Sequence, residues 1–95
     1  MAKDIQHFRL QLVEKIKLAN SRVQAILMID AAIKTLMEKN IHGYTIVRFM
    51  EKLNSEIDDL RDKAQDEMQK IFETASTRVR FLRERLFISG NPSTQ

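Results

Sequence analysis

The sequence has no cysteine and no tryptophan, a single tyrosine, a single proline and two glycines in 95 residues. Without cysteine there is no disulfide framework and no thiol chemistry, and metal sites built on thiolates are excluded. Strands need turns, and turns draw on clustered Gly, Pro, Asn and Asp. Two such clusters occur, around Asn40–Tyr44 and after Ser89, so a β or α/β chain has nowhere to bend. A long apolar run is also missing. The longest, Ala25–Ile33, contains Asp30 and reaches about half of the ~20 residues a membrane span takes. Met1–Leu10 lacks the apolar core of a secretory signal. No membrane span is expected, and a cytoplasmic, soluble chain is.

What is present is helix-forming. Hydrophobic residues make up 43% and charged residues 31%, a balance that supports a packed core. The length allows one domain, expected over residues 1–88, with 89–95 a flexible C-terminal tail begun by Ser89-Gly90-Asn91-Pro92. The net charge of +3 is uneven. Acids crowd into Glu51–Glu73, whereas Thr74–Ile88 holds Arg78, Arg80, Arg83 and Arg85 against Glu84 alone.

Apolar residues at Ile5, Phe8, Leu12, Ile16, Ala19, Val23, Ile26, Ile33 and Met37 keep helical spacing apart from the gap that Asp30 fills. Asp4 is the expected N-cap and Gly43 the expected left-handed closure after Lys39–Asn40. Ser21-Arg22-Val23-Gln24 has the form of a cap for a separate helix. The apolar phase runs through Asn20 unbroken, however, and favours continuity. A second stripe, Ile46, Phe49, Leu53, Ile57, Leu60, Ala64, Met68, Ile71, Ala75, Val79, Leu82 and Leu86, follows a candidate cap at Thr45. The all-α expectation is therefore a long antiparallel hairpin of two helices, about 4–39 and 45–88, with Phe81–Ile88 overhanging.

A lone hairpin buries one seam, yet Ala25–Ile29 and Ala31–Ile33 are apolar nearly all round. A helix of that kind is buried on more than one side. Exposing four or five such side chains forgoes roughly 1.5–3 kcal/mol each. A homodimer forming a four-helix bundle solves the problem, with Ile26, Leu27, Ile29, Asp30, Ile33, Phe81, Leu82 and Leu86 at the interface. A three-helix monomer broken near Asn20 and a helical protein partner are the alternatives.

Chemistry finds little support. His7 and His42 are isolated, and Glu38/His42 at i, i+4 fall where a helix is ending. Asp58, Asp62 and Asp66 share one helical face, but Arg61, Lys63 and Lys70 interleave with them. Asp30 is expected to fix register, with Asn54 in reach as a partner. Nucleophile, phosphate-loop and dinucleotide motifs are missing, so neither an enzyme nor a cofactor is expected. The expected role is an adaptor, assembly factor or regulator working through helix–helix contacts. The alternative is a nucleic-acid-associated dimer that grips phosphates with Arg78, Arg80, Arg83 and Arg85.

Overall fold

Four helices, rather than two, carry the apolar stripes: α1 (Ala2–Lys17), α2 (Arg22–Glu38), α3 (Gly43–Lys63) and α4 (Asp66–Ser89). The computed structural model describes residues 2–89 and the side chains of 5–86. The tail after Ser89 and the side chains of Asp4, Phe87 and Ile88 lie outside this range. No strand occurs among the described residues, and no helix there is long and apolar enough to cross a membrane.

The expected helix over 4–39 is interrupted at Leu18–Ser21. Leu18 N and Ala19 N donate to Lys15 O and Ile16 O at 3.0 and 3.1 Å, the tight i to i−3 pattern that ends a helix. Ser21 is extended (φ −156°, ψ 164°) and its hydroxyl accepts from Gln24 N at 3.1 Å. Gln24 Oε1 reaches back to accept from Asn20 N at 2.6 Å. These reciprocal bonds satisfy two amides that a break would otherwise orphan. Continuity of phase therefore did not mean continuity of helix.

The second long helix is interrupted at Ala64–Gln65, without glycine or proline. Ala64 is extended (φ −92°, ψ 166°) and Asp66 lies in the left-handed region (φ 53°). Charge supplies the physical reason. Arg61 and Lys63 fall in the last turn of α3 and Asp66 and Glu67 in the first turn of α4. Each pair thus sits at the helix end whose dipole favours it. The break also takes Asp66 off the face it would share with Asp58 and Asp62, where like charges repel. Arg61 then serves both remaining acids, at 3.4 Å each.

Between α2 and α3, Lys39 closes the helix and Asn40, not Gly43, takes the left-handed conformation (φ 59°). Asparagine tolerates that region well. Gly43 instead opens α3. His42, rather than Thr45, is its cap, Nδ1 accepting from Tyr44 N at 3.1 Å. α1 starts at Ala2, which places Asp4 inside its first turn.

α4 packs chiefly against α3 and α2, and α1 packs on α2 and α3. Phe8 lies against Phe49, ring centroids 5.9 Å apart, and Arg9 Nε donates to Glu56 Oε1 at 2.8 Å, which joins α1 to α3. α2 runs alongside α4, Ile26 near Thr77 and Phe81, Met37 near Leu82. Each helix or its end contributes to one core: Leu12, Ile16 and Ala19; Ala25, Ile29, Ala32, Ile33 and Leu36; Ile46, Phe49, Met50, Leu53 and Ile57; Ile71, Phe72, Ala75 and Val79. The molecule measures 44 × 29 × 19 Å, whereas an unbroken 45–88 helix would alone reach ~66 Å at 1.5 Å per residue. The two-sided burial that α2 demands is met within one chain.

Candidate interaction surface

Packing α2 beside α4 brings Asp30 and Arg78 together at the edge of the core. Arg78 Nε and Nη2 donate to Asp30 Oδ1 and Oδ2, both at 2.8 Å, a two-pronged charge-assisted contact. The hydrogen bond that Arg78 donates to Asp30 holds its guanidinium above its ordinary pKa, against a smaller opposing effect of burial. The pair is about a third exposed, 31% for Arg78 and 35% for Asp30. Asp30 is therefore not at a bundle centre, and its partner is Arg78 rather than Asn54.

Beyond this pair lies an aromatic platform. The Arg78 guanidinium stands 5.1 Å from the Phe81 ring centroid and that of Arg85 5.6 Å. Both are within the range in which an arginine is attracted to an aromatic face. Phe81 is nevertheless 45% exposed, and one helix away Leu27 is 61% and Val23 64% exposed. Ile26, half-buried, shares a shallow groove with Phe81 and Thr77. On α2 and α4 the exposed large apolar side chains are Val23, Leu27, Met37 and Phe81, while Leu10, Leu18 and Tyr44 are exposed elsewhere.

The expected interface residues divide accordingly. Ile29 and Ile33 are 0% and 6% exposed and belong to the core of the folded chain. Leu82 and Leu86 are half-buried against that core. Ile26, Leu27 and Phe81 remain at the surface. Of the four arginines, Arg78 is engaged with Asp30, and Arg83 Nη1 donates to Glu51 Oε2 at 3.2 Å. Arg85 covers Phe81, while Arg80 is exposed and donates to Thr77 Oγ1 at 3.5 Å.

One polar centre escaped the sequence. Ser76 is completely buried, its Oγ 2.7 Å from both Asn54 Oδ1 and Asp58 Oδ1. A hydroxyl has one proton to donate, so it serves the two acceptors in turn and pins α4 to α3. The available signal was a serine on the buried side of α4 beside Ala75, facing two polar residues four apart on α3. The triad is an internal clasp between α3 and α4. Among the described residues no three His, Asp or Glu side chains gather as a metal site. Compared with models of known protein families, with curated proteins and with solved structures, the chain matches none.

Proposed function

We propose that this chain is a non-enzymatic helical protein of the cytoplasm that acts as an adaptor, assembly factor or regulator through its helix surfaces, including contact with a second copy. The observation that carries the proposal is the outer face of α2 and the edge of α4, where Val23, Leu27 and Phe81 stay exposed beside half-buried Ile26. Exposed apolar residues that cluster on adjoining helices fit a partner helix better than they fit water. A nucleic-acid role draws less support, since Arg78 and Arg83 already hold Asp30 and Glu51.

Light scattering on a sizing column at micromolar concentration tests this proposal. The wild type is expected near twice its 11.1 kDa chain mass. Leu27→Glu with Phe81→Glu is expected to return it to a monomer that still unfolds cooperatively, its melt lowered by the lost dimer contacts and by the lost Phe81 contacts to Arg78 and Arg85. A wild-type monomer that neither self-associates nor captures helical partners, or a dimer that ignores the double substitution, overturns the surface assignment. Duplex DNA supplies the other arm. Binding that weakens by nearly one log unit per log unit of salt for each phosphate contacted, and that is lost when Arg78, Arg80, Arg83 and Arg85 all become Gln, would favour the nucleic-acid alternative.

A further inference from the structure

We propose that α4 is exchangeable: the trough formed by α2 and α3 accepts the α4 of a second copy, each chain opening at Ala64–Asp66 into one straight α3–α4 helix. This mode of pairing goes beyond the exposed α2/α4 face and does not use it.

Three observations meet at the turn. First, the chain reverses direction within two residues, and Asp66 is held at φ 53°, a left-handed conformation that aspartate, like asparagine, adopts more readily than other residues with a Cβ but less readily than glycine. Short connections under strain are where exchange between copies starts. Second, nothing in the sequence obliges the turn. No glycine or proline lies between Leu60 and Ile71, and Leu60, Ala64, Met68 and Ile71 keep intervals of four, four and three through it. Straightening therefore leaves every apolar residue of α4 in phase with α3, and the helix gains the bonds that the turn interrupts. Third, what α4 gives the core is reproduced in full by the α4 of a partner. Ile71, Phe72, Ala75 and Val79 would fill the same trough, Ser76 would meet the partner's Asn54 and Asp58, and Arg78 the partner's Asp30.

Charge opposes opening. A straight helix returns Asp66 to the face of Asp58 and Asp62, and it removes Asp66 and Glu67 from the helix N-terminus that favours them. The exchange is thus balanced at the hinge, and residue 66 sets the balance.

The chain has no cysteine, so a cross-linking pair can be placed cleanly. Glu51 and Arg83 touch at 3.2 Å across α3 and α4 and are 47% and 40% exposed. Glu51→Cys with Arg83→Cys, bridged by a short bis-maleimide, joins α3 to its own α4 in the closed chain and to its partner's α4 in the exchanged dimer. The pair is introduced together with Leu27→Glu and Phe81→Glu, which disable the exposed face. Each dimer isolated by sizing is then cross-linked and run on a denaturing gel. The expected result, at millimolar rather than micromolar concentration, is a dimer that forms despite those two glutamates and becomes covalent. Asp66→Gly is expected to weaken it about fivefold per hinge, or roughly thirtyfold for the two hinges of a dimer, and Asp66→Ala to tighten it. A dimer that cross-links only within each chain overturns the exchange and leaves surface pairing in place. A chain carrying Leu27→Glu and Phe81→Glu that is still monomeric at millimolar concentration does the same. A chain that stays monomeric to millimolar concentration, with Asp66→Ala as well, overturns the exchange and also removes self-association from the proposed function.

Discussion

The Asp30–Arg78 pair invites a double-mutant cycle whose outcome can be worked out beforehand. Two unit charges about 4 Å apart attract by about 1 kcal/mol in water and about 4 kcal/mol at the effective dielectric of a protein surface. Both groups are about a third exposed (31% and 35%), so solvent screening pulls the value toward the lower figure. Ordering an arginine side chain costs up to about 2 kcal/mol, but the Arg78 fork is also held by the Phe81 ring, 5.1 Å away, so part of that ordering is already in place. The net coupling is expected at about 1–1.5 kcal/mol, above an ordinary exposed pair and below a buried one. Urea unfolding of the wild type, Asp30→Ala, Arg78→Ala and the double variant reads it directly. Arg78→Ala should cost more than Asp30→Ala, since it also uncovers Phe81, and the cycle cancels that difference. In 1 M salt, where screening acts over about 3 Å, the coupling should fall to half or less. A coupling under about 0.3 kcal/mol would refute the idea that this contact joins α2 to α4. One above about 3 kcal/mol would mean the pair is desolvated far beyond what its exposure implies.

Two further substitutions test the elements that the structure revealed. Ser21→Ala removes the side chain that caps α2 and should cost about 1 kcal/mol in urea unfolding, whereas a chain with α1 and α2 continuous would gain stability from alanine. Ser76→Ala leaves Asn54 and Asp58, both half-buried, to find water instead of a hydroxyl, and should cost about 1–2 kcal/mol; no change in the unfolding midpoint would mean that the clasp holds nothing.

Fold class was legible because it rests on quantities that any helical arrangement shares: spacing of three and four, few turn residues, and apolar stripes that lead to Ile16, Leu53, Ile57 and Val79 in the core, although Val23 and Met37 of the first stripe are exposed and Ile29, outside it, is buried. The breaks were hidden for the same reason. When the residues across a turn keep the phase, as Ile16, Ala19 and Val23 do, periodicity reads straight through. The signals that locate the breaks are local and polar. Ser21 and Gln24 cap one helix, and Arg61 and Lys63 followed by Asp66 and Glu67 mark the charge reversal of a helix end and a helix start. At the third turn glycine drew attention that belonged to Asn40. Of the candidate surface, Leu27 and Phe81 could be named from sequence, but the partner of Asp30 could not. Asn54 was chosen by the register of a hairpin that does not form, while the real partner comes from a helix that reaches α2 only because the chain turns at residue 64.

The sequence posed one physical problem, an α2 segment apolar nearly all the way round, and two solutions compete for it. A second chain can bury the surplus, at the cost of association. One chain can bury it alone by folding each long helix in half. Each fold interrupts the backbone ladder and leaves orphan amides and carbonyls at the new ends, a cost that caps and solvent reduce. Against this, α2 buries Ile29, Ile33 and Leu36 together with Ala25 and Ala32. Its three large side chains alone are worth roughly 1.5–3 kcal/mol each. The cap at Ser21 and the charge reversal at 61–67 lower the cost on the other side. The structure adopts the intramolecular arrangement, and its cost is lowered by those polar residues rather than by anything in the apolar pattern. A change confined to Ser21, Gln24, Asp66 or Glu67, none of them in the core, should then shift the balance between one chain folded on itself and two chains folded on each other.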